Sequence, residues 1–264
     1  MKICPAGINA RGINHTGGNM SKTFFIDTTR CTACRGCQVA CKEWQEFPAN
    51  KTTQLGWGSH QNPPDLNPFN YKIVRFAEHK VNNRVVWNFF SDQCRHCVDP
   101  ACKYPADEYK KGAVVIDEET GAVIYTDACK NLPEEVFVQM RDFCPFDIPR
   151  RNEETGAVNK CDMCIERVKA NLLPMCVKAC PTGAMNFGDR DEMIKLANKR
   201  LGIVKEEFPD AQLLNVDEVR VIYLISDKPE FYYKTAAATP KTIGFSRKDV
   251  LAKIFEPIKN LSKV

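Results

Sequence analysis

The chain has 264 residues and a formal net charge of +4 at pH 7, and 44% of its residues are hydrophobic. This length corresponds to one or two domains at about 150 residues each, and so small a charge does not indicate nucleic-acid binding. The longest apolar run, Val221–Ile225, is far shorter than the roughly 18 residues of a membrane-spanning helix, so no transmembrane segment is predicted. Residues 1–20 contain no apolar stretch typical of a secretory signal, and we interpret them as an extension outside the hydrophobic core.

The first predicted elements surround a run of four closely spaced cysteines. A strand is predicted over 24–27 and a short helix over 38–47, and the run consists of Cys31, Cys34, Cys37 and Cys41. Its spacing, C-x2-C-x2-C-x3-C, is that of bacterial ferredoxins, in which three thiolates bind one 4Fe-4S cluster and the fourth binds another. Zinc sites usually pair two separate C-x2-C turns, so a zinc site is the less favoured alternative. Disulfides are disfavoured because Cys-x-x-Cys bridges are strained.

The middle of the chain is predicted to form two hairpins and a helix. Alternating apolar residues predict one hairpin from 71–76 and 84–90 and another from 114–116 and 123–125, and the helix is predicted over 134–141. Four cysteines lie in this region, namely Cys94, Cys97, Cys102 and Cys144.

A second cluster in this middle region would need four further thiolates, and none of them is present. The positions that the ferredoxin spacing assigns to them are occupied by Ala106, Glu134, Phe137 and Met140. Random loss of cysteines would leave two incomplete sites, whereas this pattern removes one complete ligand set and keeps the other. We therefore predict one cluster in this region, with the helix over 134–141 filling the space of the absent one.

The last cysteines repeat the ferredoxin pattern with an insertion, and they are Cys161, Cys164, Cys176 and Cys180. Crossed pairing with the first run, as in two-cluster ferredoxins, predicts three complete ligand sets. Cluster 1 is predicted at Cys31, Cys34, Cys37 and Cys180; cluster 2 at Cys41, Cys161, Cys164 and Cys176; cluster 3 at Cys94, Cys97, Cys102 and Cys144.

The remaining elements are predicted to be mostly helical. Helices are expected over 162–172 and 189–208, a buried strand over 219–226, and an amphipathic helix over 247–263. The apolar face of this last helix is more typical of a core or subunit-docking face than of a membrane-surface helix.

Three residues outside the ligand sets have weaker interpretations. His96 is favoured as a neighbour of a cluster or a surface residue rather than a ligand, since the cysteine sets are complete without it. Cys129 is interpreted as a buried free thiol or a remnant of the absent cluster, and Cys4 lies in the N-terminal extension. No motif for covalent haem, a dinucleotide or a P-loop occurs.

The order of these motifs resembles the iron-sulfur (beta) subunits of molybdopterin oxidoreductases. Segments 29–42, 60–65, 94–97 and 176–188 are similar in particular to the beta subunits of tungsten or molybdenum formate dehydrogenases, and the likeness extends from about residue 21 to about 234. The resemblance implies a partnership with a Mo/W-pterin catalytic (alpha) subunit and a c-type cytochrome or other redox acceptor. It fits the soluble members with three clusters better than the membrane-bound members with four.

The predicted fold class is α+β, with two intertwined ferredoxin-like domains, short β-hairpins and a C-terminal helical extension. The first domain combines 21–70 with 151–190 and binds two 4Fe-4S clusters, and the second, inserted over 71–150, binds one. After the extension 1–20, the remaining part is 191–264, which we expect to dock another subunit.

The expected function is electron transfer from formate oxidation through three 4Fe-4S clusters to an external acceptor. Two alternatives stay open. One is the electron-transfer subunit of another molybdopterin enzyme, such as a dimethyl sulfoxide, polysulfide or nitrate reductase, and the other is a zinc-stabilised scaffold. We expect the protein to be periplasmic, exported in folded form with its catalytic partner, with a cytoplasmic location as the alternative.

Overall fold

The computed structural model describes residues 21–53, 60–81 and 83–238. The strands are β1 (Lys22–Asp27), β2 (Ile73–Val81), β3 (Arg84–Asp92), β4 (Val114–Ile116), β5 (Val123–Tyr125), β6 (Arg150–Arg151), β7 (Val158–Asn159), β8 (Met185–Asp189), β9 (Gln212–Leu214) and β10 (Val221–Ile225). The α-helices are α1 (Gly36–Trp44), α2 (Lys103–Tyr109), α3 (Glu134–Phe143), α4 (Ile165–Lys169), α5 (Met175–Lys178) and α6 (Arg190–Lys205). This mixture of helices and small sheets confirms the α+β class. None of the helices in these ranges is long and apolar enough to cross a membrane.

The largest sheet has the strand order β8-β1-β10-β9. The central strands β1 and β10 are buried along their whole length and pair in parallel, with Phe24 opposite Val221. Side chains alternate between the two faces of a strand, so Phe25 and Ile222 pack with α6 while Phe24 and Tyr223 pack toward the cysteine loops. The sheet therefore supports the cysteine loops on one face and is covered by a helix on the other.

A long antiparallel hairpin, β2–β3, joins the first cysteine run to the middle region. Its register pairs Ile73 with Asp92 at the buried end and Val81 with Arg84 at the exposed end. The exposed end carries apolar side chains, whereas the buried end leads directly into the Cys94 loop. The hairpin thus positions the loop that contains Cys94, the first of the middle cysteines.

The middle region has its own core beside β4, β5, α2 and α3. Three of the four residues at the positions of the absent ligands lie in this one apolar cluster: Ala106, Phe137 and Met140 are all buried there, together with Cys129. Apolar side chains thus occupy the place of an absent ligand set. Replacing polar or charged ligands by packed hydrophobic groups is energetically favourable in a core.

Several predicted elements agree with the structure, and the differences have physical causes. The hairpin over 114–116 and 123–125 and the helix after Pro133 are present as predicted. The helix predicted over 162–172 is limited to α4, because Met163 and Cys164 have positive φ angles of 67° and 50° and cannot belong to a right-handed helix.

The C-terminal part differs from the predicted extension in one respect. Strands β9 and β10 lie in the same sheet as β1 and β8 instead of forming a separate unit. The predicted helix over 247–263 and the extension 1–20 lie outside the described residues. The domain limits given above remain predictions.

Candidate metal centres

The pairing of β1 with β8 brings the first and last cysteine motifs together. These strands are antiparallel, with Ile26 opposite Met185, so the loop after β1 and the loop before β8 emerge at the same end of the sheet. Cys31 lies shortly after β1 in the first loop, and Cys180 lies shortly after α5 in the second. Gly36 of the first run lies close to Ala179, which precedes Cys180. A Cβ atom added at Gly36 would be 3.2 Å from the carbonyl oxygen of Ala179. The first run and Cys180 are therefore neighbours in space although they are distant in sequence.

The four cysteines predicted for cluster 1 form group 1. Burial, with smaller contributions from the nearby Cys37, Cys180 and Cys34 thiols, raises the pKa of the Cys31 thiol to about 11. Burial alone would raise the pKa of Cys180 as well, but backbone N–H groups, first that of Met185, bring it below its ordinary value. Cys34 is exposed, so this group reaches the protein surface.

The four cysteines predicted for cluster 2 form group 2, and all of them are buried. Burial raises the pKa of Cys41 well above its ordinary value, with added effects of the Cys176 and Cys164 thiols. Helices α1 and α5 carry Cys41 and Cys176. The end of α1 is tied to the loop of the remaining two cysteines, since Gln45 Nε2 donates to Asp162 Oδ2 at 3.1 Å.

The four cysteines predicted for cluster 3 form group 3. Burial raises the pKa of Cys144 to about 12, and the Cys102 and Cys94 thiols contribute in the same direction. Burial also raises the pKa of Cys97 well above its ordinary value, with Cys144 as the first of its thiol neighbours. Cys102 and Cys144 flank the ends of α2 and α3, so this group is held by the core of the middle region.

The three groups share one local turn that sequence reasoning did not identify. Ala33, His96 and Met163 each lie two residues after the first cysteine of a motif, and each has a positive φ angle, of 54°, 46° and 67°. In this turn the backbone N–H points back to the cysteine. His96 N and Met163 N lie 3.4 Å from Cys94 Sγ and Cys161 Sγ, and the backbone of Ala33 lowers the pKa of Cys31.

Donors of this kind are suited to thiolates that carry the charge of an iron-sulfur cluster. Hydrogen bonds to the sulfurs are one of the protein's means of setting a cluster's reduction potential. Over the described ranges, no set of three or more His, Cys, Asp or Glu side chains is close enough to hold a single metal ion. Four thiols per group, together with N–H donors aimed at sulfur, fit a 4Fe-4S cluster bound by four cysteines.

Cysteines of one group also raise the pKa values of cysteines in a neighbouring group. The pKa of Cys176 is raised to about 12 by burial, and Cys37 of group 1 is among the thiols that raise it. Burial likewise raises the pKa of Cys161, and Cys94 of group 3 is among its thiol neighbours. Packing shows the same adjacency, since Cys37 and Cys176 lie in one buried cluster and Cys94 and Cys161 in another, so group 2 has neighbours in both other groups.

Two of the three residues with weaker interpretations, His96 and Cys129, are buried. The backbone N–H of His96 donates to Cys94, and its ring Nδ1 accepts a hydrogen bond of 3.0 Å from Val123 N, so it is a neighbour of group 3 and not a surface residue. Cys129 is a buried free thiol that donates to the carbonyl of Ala113 at 3.1 Å. Burial raises the pKa of Cys129 to about 11. Cys4 lies outside the described residues.

Comparison with known proteins agrees with this geometry. The model of the 4Fe-4S dicluster domain family matches residues 85–190. The formate dehydrogenase 2 subunit beta (cytochrome c-553) of Nitratidesulfovibrio vulgaris is 54% identical over 219 residues, which cover 82% of this chain and 99% of the relative. The formate dehydrogenase subunit beta of Megalodesulfovibrio gigas is 49% identical, with 83% and 100% of the two chains covered.

A relative from another molybdopterin enzyme is more distant. The B subunit of the anaerobic dimethyl sulfoxide reductase of Escherichia coli is 31% identical over 176 residues, which cover 65% of this chain and 75% of the relative. Its identity is lower and its matching segment shorter than those of the two formate dehydrogenase subunits. The chain therefore belongs to the family of formate dehydrogenase iron-sulfur (beta) subunits, the electron-transfer components of these oxidoreductases.

Proposed function

We propose that the chain binds three 4Fe-4S clusters, held by groups 1, 2 and 3, and that electrons pass through them in that spatial order. The observation that carries this proposal is the packing of group 2 against both other groups, with Cys37 and Cys176 in one buried cluster and Cys94 and Cys161 in another. Each cluster supplies one-electron redox chemistry when bound. The protein's own contribution is to hold the thiolates, direct N–H groups at the sulfurs and exclude water from the middle site.

The exposure of the thiols supports surface access at both ends of this series. Group 1 includes the exposed Cys34, and group 3 includes the half-buried Cys97 and Cys144, whereas all four thiols of group 2 are buried. A cavity of about 580 Å³ also borders Cys144 and is lined by Phe137 and Arg141, among others. We assign groups 1 and 3 to the exchange of electrons with partners and group 2 to internal transfer.

The proposed partners are a catalytic subunit that oxidises formate at a Mo/W-pterin and, at the other end, a c-type cytochrome or another redox acceptor. The first partner is supported by the names of both close relatives, and the cytochrome by the name of the relative from N. vulgaris. Purification of the native complex, followed by mass spectrometry of the large subunit, tests this assignment. A dimethyl sulfoxide, polysulfide or nitrate reductase large subunit in place of a formate dehydrogenase would contradict it.

The cluster count predicts the metal content. Protein purified anaerobically is expected to contain about twelve irons and about twelve acid-labile sulfides per chain, because three cubane clusters of four irons are formed. Colorimetric iron and sulfide analysis, with metal analysis for zinc, provides the measurement. Sixteen irons would indicate a fourth site, and zinc without sulfide would support the scaffold alternative.

The site of action is proposed to be the periplasm, which the chain reaches bound to its catalytic partner. A chain that must bind its clusters before export needs a route for folded cargo, and a signal on the partner would provide it. We expect the chain to remain in the cytoplasm when the signal of the catalytic subunit is deleted, as measured by cell fractionation. Its arrival in the periplasm of that strain would contradict export with the partner.

A further inference from the structure

Lys72 is a lysine in the protein interior, and its side chain has no acidic partner among the described residues. It lies just before β2, and only 2% of its surface is exposed. Its ammonium donates one hydrogen bond, to Oε1 of Gln93, which is itself buried. A buried ammonium group without a counter-charge is costly, so negative charge must reach it from elsewhere.

The residues that follow Lys72 pack among the cysteines: Ile73 lies in one buried cluster with Cys161, and Val74 lies in another with Cys37 and Cys176. Burial opposes the protonated form, but the charges of Cys176 and Cys37, and then of Tyr223 and Cys161, hold the pKa of Lys72 above its ordinary value. The positive charge of Lys72 in turn acts to lower the pKa values of two further thiols, Cys41 and Cys164. The burial of Lys72 and the packing of Ile73 and Val74 thus place this lysine beside the cysteines of group 2, with Cys37 of group 1 nearby.

Group 3 has different cationic neighbours. Lys160 acts on Cys102, and Arg95 acts on Cys97. Lys72 thus acts on the middle group and, through Cys37, on one thiol of group 1, whereas group 3 has its own cations.

We infer that Lys72 is the internal counter-ion of cluster 2 and raises the reduction potential of that cluster above the value that four buried cysteine ligands alone would give. This inference rests on the proposed ligand sets. Reduction adds one negative charge to the cluster, and a fixed cation in a water-poor interior stabilises the reduced form more than the oxidised form. The middle cluster is the one that most needs such a charge, because all of its ligands are buried.

The test compares variants of Lys72 in the anaerobically purified holoenzyme by redox titration monitored by electron paramagnetic resonance. The signal of cluster 2 is first identified from the spectrum that changes in a Cys164→Ser variant. Lys72→Met and Lys72→Gln remove the charge, while Lys72→Arg keeps it. We expect both neutral variants to lower the midpoint potential of cluster 2, with a smaller change at cluster 1 and none at cluster 3, and Lys72→Arg to titrate close to the wild type.

Lys22→Met is the matched control. Lys22 is also buried, at 4% exposure, but its ammonium is paired with Asp189 Oδ1 at 2.6 Å and not with thiolates. Its replacement is expected to leave all three midpoint potentials unchanged. Any shift at cluster 2 in this control as large as that of Lys72→Met would overturn the inference.

Each of the remaining outcomes either supports or contradicts the inference. Neutral variants that bind all their iron and titrate like the wild type contradict it, as does a shift in Lys72→Arg equal to that in Lys72→Met. If the neutral variants lose about four irons, restoration of that iron in Lys72→Arg supports the counter-ion, whereas its loss there too contradicts it. A wild-type protein with fewer than about twelve irons would instead contradict the proposed ligand sets, which separates the two failures.

Discussion

Replacement of Cys180 by serine is expected to disrupt cluster 1, whose other three ligands lie at the opposite end of the cysteine series in sequence. The antiparallel pairing of β1 with β8 places Cys180 beside the loop of Cys31, and its thiol acts on that of Cys31. Removing one of four thiolates should release about four irons or leave a three-iron cluster. Iron analysis and electron paramagnetic resonance of the anaerobic protein measure the loss.

Cys129→Ser is the control for the Cys180 variant. Cys129 is buried, donates to the carbonyl of Ala113 and belongs to none of the three proposed ligand sets, so its replacement should leave the iron content unchanged. The crossed ligand assignment is wrong if Cys180→Ser alters the cluster 2 signal and leaves that of cluster 1 intact.

A second large effect is expected at Asp92, which is fully buried between two arginines. Its carboxylate accepts hydrogen bonds of 2.7 Å from Arg75 Nε and from Arg95 Nη1. Both arginines are themselves almost fully buried. In Asp92→Asn the Arg95 guanidinium loses its carboxylate partner, whereas Arg75 keeps Asp65 at 2.6 Å. Leaving one buried charge unpaired in this way costs about 3–5 kcal/mol. We expect a large decrease in the midpoint temperature of unfolding, measured by circular dichroism of the cluster-loaded protein.

Asp127→Asn serves as the control for Asp92. Asp127 also forms an ion pair, with Lys130 at 2.7 Å, but both side chains are exposed to solvent. Water and salt screen such a pair, so no measurable change in the unfolding temperature is expected. A similar decrease in both variants would show that burial of the Asp92 pair is not the cause.

The cysteine groups could be predicted from sequence because their chemistry depends on short spacings. Three thiolates must lie within one loop to hold three corners of a cluster, so their separation along the chain is fixed whatever the rest of the fold does. The absence of one ligand set could also be predicted from sequence, because Ala106, Phe137 and Met140 occupy positions that the same spacing assigns to cysteines. That they are buried in one apolar cluster was visible only in the structure.

The buried charges could not be predicted, because each depends on a partner that is remote in sequence. Lys72 lies in a segment of alternating polar and apolar residues that could equally expose it, and its thiolate neighbours include Cys176, contributed by α5. Arg95 lies between Cys94 and Cys97 and resembles a solvent-exposed loop residue in sequence. In the fold its guanidinium carbon lies 4.9 Å from the Phe146 ring centroid and 4.8 Å from that of Tyr223.

The parallel pairing of β1 with β10 has a consequence for the order of events at the ribosome. Thr28 Oγ1 donates to the carbonyl of Leu224 at 2.8 Å, a contact between residues 196 positions apart. At about 5–20 residues per second, the ribosome synthesises the first cysteine run roughly 10–40 seconds before it completes β10. During that interval its thiols have no finished site and are open to oxidation. The proposed ligand set of cluster 1 is complete only once Cys180 has been synthesised, and the site lacks its supporting strand until β10 follows and pairs with β1.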